Sequence, residues 1–184
     1  MDMKKSLLAI NELVEDYDFI NDKLLLDEPS VAQNIQRHLT KMFVLSCGSY
    51  YEAIITNAIK QYSVKHSSKY KEQPHGFNGI GELSFFRMFD FGREKLNNVN
   101  SFLSNFISFG KEFKKSFIEE LERDENKTDS AMAFQEICSM RNSLSHNDLI
   151  TSLCSSNKSF DDIKDLHNKA IVFVELFVSK FCES

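Results

Sequence analysis

Tryptophan is absent from this chain, and it holds only two prolines and six glycines in 184 residues. Proline and glycine interrupt helices, so their scarcity favours long helical segments. No Cys-x-x-Cys pair occurs; Cys47, Cys138, Cys154 and Cys182 are scattered, and all but Cys154 fall in apolar helical stretches. That spacing excludes a zinc ribbon or a dithiol redox pair and suits free buried thiols in a reducing compartment. No apolar run reaches the length of a membrane span. The start, Met1-Asp2-Met3-Lys4-Lys5, is followed by an acidic stretch from Asn11 to Asp18, unlike a secretory signal, so a cytoplasmic location is expected. A basic excess is also missing: 22 Lys and Arg face 27 Asp and Glu, for a net charge of −5. This argues against a bulk DNA binder and leaves room for RNA handled at a small basic site. The glycine-rich run His75-Gly76-Phe77-Asn78-Gly79-Ile80-Gly81 lacks the lysine and spacing of a phosphate-binding loop.

What is present is phenylalanine, 17 residues of it, in a chain that is 42% hydrophobic. That is enough for one domain, spanning 1–184, with a phenylalanine-rich core. Five helical stripes can be read. The first runs from about Ser6 to Leu26 on Leu7, Ile10, Val14 and Tyr17, and ends at Asp27-Glu28-Pro29-Ser30, where Pro29 opens the second helix. The second and longest runs from about Val31 to His66. Its expected stripe is Ile35, Leu39, Met42, Ser46, Tyr50, Ala53, Asn57 and Gln61, widened by Phe43, Ile54 and Ala58. Gly48 in mid-helix implies close approach by another helix. An irregular excursion follows, with a short apolar cover from Leu83 to Phe91. The third helix, about Ser101 to Asp124, carries a seam of Phe102, Phe106, Phe109, Phe113, Phe117 and Leu121, and its acidic end reads as a solvated face. The fourth begins near Thr128 or Asp129 and turns Ala133, Ile137, Met140 and Leu144 inward. The fifth, Ser159 to Cys182, capped by Ser159 or Asp161, buries Ile163, Leu166, Ala170, Val174, Phe177 and Phe181. The fold class is therefore all-α: a four- to five-helix bundle with a long second helix and an irregular excursion between helices two and three.

The chemistry is concentrated in Met140-Arg141-Asn142-Ser143-Leu144-Ser145-His146-Asn147. Histidine can move a proton near neutral pH, and arginine offers a fixed fork for a phosphate. Asn142 lies four residues before His146, so the amide can hold the imidazole. Together these are the groups that metal-free RNA cleavage needs. Arg141 and His146 lie five apart, roughly 140° around an ideal helix. They converge on one phosphate only if the helix unwinds between them or if a second subunit completes the site. A histidine in the last helical turn gains from the helix dipole, which favours its protonated form. The competing reading is a structural cap in which Arg, Asn and His bond the last carbonyls.

The other histidines carry less. His38 reads as a boundary or surface residue and His167, beside Asp165, as a surface residue. His66 and His75 flank Lys65, Lys69 and Lys71, a local positive segment that suits either a phosphate backbone or solvent. Tyr50-Tyr51-Glu52 in the second helix leaves two readings for Glu52: exposed and inert, or approaching Arg141 to orient it.

The helical pattern with Arg141-Asn142-x-x-x-His146-Asn147 resembles the HEPN superfamily, all-α domains marked by an Arg-Asn-x-x-x-His motif. The stretch from Phe43 to Glu52 is similar to the second helix of stand-alone bacterial members, among them the group associated with ribonuclease L-PSP proteins. The resemblance runs from about Ser6 to Phe181. It implies a bundle that dimerises beside the motif to form a composite cleft, and a metal-independent endoribonuclease without cofactors. Arg141, Asn142 and His146 then match the catalytic positions, with Glu52, Tyr51 and Asn147 as candidate supporting residues. Many members serve toxin–antitoxin or phage-defence systems, which implies RNA as substrate and a cognate antitoxin or defence protein as partner, with no membrane role. In a subset of toxins a tyrosine two residues after the histidine is modified by a nucleotidyltransferase. Here that position is Asp148, so the resemblance does not carry that route of silencing.

Overall fold

The computed structural model describes residues 3–65, 111–146 and 158–182. Five long helices occur among them: α1 (Met3–Phe19), α2 (Pro29–Lys65), α3 (Lys111–Glu122), α4 (Glu125–His146) and α5 (Phe160–Cys182). The expected excursion between helices two and three, and the Phe102, Phe106 and Phe109 end of the third, lie outside the described residues. No helix among the described residues is long and apolar enough to cross a membrane.

Helix boundaries follow local chemistry. The first helix does not run straight to Leu26. It widens into a π-helical turn, Ile20–Leu24, and a last short turn, Leu25–Asp27. Pro29 then occupies the first position of α2, where its missing N–H is not needed. Helix α4 begins earlier than Thr128: the backbone N–H of Asn126 donates to Asp124 Oδ1 at 3.0 Å, so Asp124 is the cap. Thr128 is left to donate its hydroxyl to the carbonyl of Leu121 at 2.8 Å, stitching α4 to the end of α3. Of Ser159 and Asp161, the cap of α5 is Ser159. Its backbone N–H donates to Asp162 Oδ2 at 2.8 Å, and the Asp162 N–H donates back to Ser159 Oγ at 3.1 Å.

Helix α2 is the spine. Helices α1, α4 and α5 all pack on it, α5 also packs along α4, and α3 lies against α4. Wrapping by three neighbours decides which face of α2 is buried. The buried side chains are Ala32, Thr40, Phe43, Val44, Cys47, Tyr51, Ile55, Ala58 and Ile59. Phe43 and Ala58 of the expected stripe belong to this face, and Leu39, Tyr50 and Ile54 pack against it, but its centre is rotated away from Met42, Asn57 and Gln61, all of which are exposed. The rotation has a clear cause: the expected stripe would have buried unpartnered polar side chains, whereas the observed face buries apolar side chains and two hydroxyls with partners, Thr40 on the Gln36 carbonyl and Tyr51 on His167.

The core is aromatic, as the composition foretold. Phe43, Phe134, Phe173 and Phe177 are fully buried. Phe134 and Phe173 join α4 to α5 with ring centroids 4.8 Å apart, and Phe117 of α3 meets Phe177 edge-on at 6.0 Å. The acidic end of α3 is more than a solvated face. Glu120 accepts from Lys180 at 2.6 Å and from Lys127 at 3.0 Å, linking α3 to α5 and α4. Those two cations hold its carboxyl below the ordinary range, the Lys180 hydrogen bond first.

Candidate functional site

The Arg141 end of α4 crosses α2 where α2 has no side chain. A Cβ built on Gly48 would lie 2.7 Å from Cγ of Arg141 and 3.0 Å from its Cβ. The close approach expected at Gly48 is thus made by the stem of the arginine itself. One turn further along α2, Glu52 receives the guanidinium: Arg141 Nη2 donates to Glu52 Oε2 at 3.2 Å. The pair is half-buried, with 20% of the arginine side chain and 35% of the glutamate exposed. Of the two readings of Glu52, the structure therefore adopts the one in which it orients the arginine. Arg141 Nη1 also donates to Asn142 Oδ1 at the long distance of 3.4 Å.

Beneath the pair lie the thiols of Cys47 and Cys138, both free and buried as the sequence suggested. Burial pushes both thiols up, against the smaller opposing pull of Arg141 on Cys138. They remain protonated and present no nucleophile.

Helix α4 stays helical through His146, its last residue. The chain therefore does not unwind between Arg141 and His146, and the angular separation of their positions on the helix persists. The side chain of His146, and the whole of Asn147 and Asp148, lie outside the described residues, as do His66, His75 and Cys154. Among the described residues, no three His, Cys, Asp or Glu side chains are grouped so as to hold a metal ion.

Tyr51 and His167 are core residues rather than surface ones. Tyr51 is fully buried, and its hydroxyl lies 2.7 Å from Nδ1 of His167. His167 is 7% exposed, which corrects its reading as a surface residue. Burial lowers its pKa from 6.5 to about 4, so it is neutral at pH 7. The signal was available in the spacing: His167 sits four after Ile163 and three before Ala170, on the face α5 buries. Its neighbour Asp165 pointed to the surface because Asp165 faces the other way. Tyr51 is thus committed to the α2–α5 contact, while the next residue, Glu52, turns to α4.

An all-α bundle with a long spine helix, and an arginine held by that spine five residues before a helix-ending histidine, has the architecture of a HEPN domain. The family model described as RiboL-PSP-HEPN matches residues 5–183, and the chain belongs to that family. No curated protein and no solved structure matches the chain.

Proposed function

We propose that this chain is a metal-independent endoribonuclease that works as a homodimer, as a toxin or phage-defence effector. The observation that carries the reading is the held arginine. Arg141 is laid over Gly48 and aimed by Glu52, in a family whose superfamily motif it begins. An oriented guanidinium is what stabilises two equatorial phosphate oxygens as charge builds on them. Helix α4 continues through His146, so a single copy keeps the two groups on different helix faces. A second copy related by a two-fold axis supplies the missing partner. In the composite cleft His146 takes the proton from the ribose 2′-OH, which attacks the adjacent phosphate. The His146 of the second copy protonates the leaving 5′ oxygen. The products are a 2′,3′-cyclic phosphate and a free 5′-OH, and DNA, lacking the 2′-OH, is inert.

A second reading has its own support. Glu52 neutralises much of the arginine's charge, as expected if the pair only joins α2 to α4 in a non-catalytic interaction module. One experiment separates them. Wild type, Arg141→Ala and His146→Ala are incubated with total cellular RNA in EDTA, and the product ends are analysed. The nuclease reading expects cyclic phosphate ends from wild type and a loss of roughly 10²–10⁴-fold in His146→Ala. Equal cleavage by all three proteins, or no cleavage by a folded dimeric wild type, refutes it.

A further inference from the structure

On the side of α2 that carries Phe43 and Tyr50, helices α1 and α5 run antiparallel. They meet where Tyr17 stacks on Phe160, with ring centroids 3.8 Å apart. Towards the start of α1 lies a cavity of about 520 Å³ between α1, α2 and α5. This is within the range of small-ligand sites. Ile10 and Phe43 give it apolar walls, with Leu7 and Ile171 beside them. Leu7 is 40% exposed, although it belongs to the apolar stripe of α1.

His167 lines this cavity while being more than nine-tenths buried, and its orientation is fixed. Phe43 meets its ring edge-on at 5.6 Å, and the ring of Tyr51 lies nearly parallel to it at 5.8 Å. Its protonation pattern follows from Tyr51. A buried phenol proton needs an acceptor, and among the described residues Nδ1 of His167 is the one Tyr51 has. The hydroxyl therefore donates to Nδ1, and the neutral ring carries its proton on Nε2. That hydrogen bond leaves Nε2 for a partner other than Tyr51. The cavity thus has apolar walls and one oriented ring N–H donor, with the exposed amides of Asn11 and Asn168 at its edge.

The charges around it set the rest. Glu15 and Glu175 are exposed at the rim and outnumber Lys164. Burial, with the Glu175 charge second, raises the Tyr50 phenol, so this wall stays uncharged at neutral pH. A phosphate or carboxylate would meet two like charges and one opposite charge. We propose that the α1–α2–α5 cavity binds a small uncharged ring compound that presents a carbonyl or ring-nitrogen acceptor to His167 Nε2–H. This site is separate from the Arg141–Glu52 pair on the α4 side of α2, and it stands whether or not the chain cleaves RNA.

Benzamide, benzoate and toluene are matched probes: neutral with an acceptor, anionic with an acceptor, and without one. Long-range ¹H–¹⁵N spectra of the histidine rings in labelled protein read both the tautomer and the binding. The Tyr51→Phe/His167→Phe double variant identifies the His167 signal and replaces both polar partners by apolar rings of similar shape. The expected result is an Nε2–H ring whose Nε2 shifts saturably with benzamide, with benzoate and toluene at least about tenfold weaker. Leu7→Trp, which fills the cavity from an exposed helix position, should weaken benzamide while leaving the tautomer unchanged. An Nδ1–H tautomer, no saturable shift, an equal response to all three probes, or unaltered binding in Leu7→Trp overturns the proposal.

Discussion

Replacing Gly48 by alanine sets two opposing effects against each other inside α2. Alanine is the better helix former, by ~1 kcal/mol at an interior position. Against this, the new Cβ would lie 2.7 Å from Cγ and 3.0 Å from Cβ of Arg141. These atoms are at the root of the side chain, so they cannot swing aside as a terminal group can. Either α4 shifts or Arg141 changes rotamer and leaves Glu52. Overpacking of this kind costs ~1–3 kcal/mol. The net expectation for Gly48→Ala is a loss of ~1 kcal/mol, and for a chain of this length a fall in Tm of ~2–4 °C. In an Arg141→Ala background the 2.7 Å obstruction by Cγ is gone while the 3.0 Å contact with Cβ remains, so the same substitution should cost less, by ~1 kcal/mol, than in the wild-type background. Denaturant unfolding of the four proteins of the cycle measures the difference. If cleavage depends on the aim of the guanidinium, a displacement of ~1 Å also costs about 10²-fold in rate. A Gly48→Ala protein that gains stability equally in both backgrounds, with cleavage unchanged, would refute the account of Gly48 as the seat of Arg141.

Glu52→Ala should lower RNA cleavage by about tenfold or more, whereas Glu52→Gln, which keeps a hydrogen-bond acceptor for Arg141, should retain most of it; equal losses would show that the charge rather than the orientation matters. His167 titrates at 6.5 in the unfolded chain and at about 4 when folded. Its contribution to stability is fully present above pH 6.5 and is lost as pH falls through about 4, roughly 3 kcal/mol in all. The carboxylates, Glu120 among them, act in the same direction, so the test is the difference from the Tyr51→Phe/His167→Phe variant. That variant should show a shallower loss of unfolding free energy between pH 6.5 and 4, and an unchanged slope would contradict burial of a neutral ring. Phe134→Ala removes a fully buried ring between α2, α4 and α5 and should cost ~3–5 kcal/mol, read as a lower denaturant midpoint at constant slope.

The sequence by itself determined the class of fold. Few helix breakers and apolar residues at helical spacing leave little besides a bundle, because each stripe must find a partner. Pro29 and Ser159 fixed two helix starts, since both act through their own backbone and immediate neighbours. It also marked Arg141, Asn142 and His146, because a motif is local, and it raised Glu52 without deciding its direction. What surrounds a residue is not local. Which face of α2 is buried depended on three helices from distant parts of the chain, so the expected stripe was rotated. Asp124 rather than Thr128 caps α4, and the Thr128 hydroxyl bonds the end of α3 instead. The role of Gly48 needed the crossing of α4, and the neutral state of His167 needed Tyr51, 116 positions earlier in the chain. Periodicity reports that a residue has a buried face; only tertiary packing assigns its partner, and the partner sets the charge and direction of the side chain.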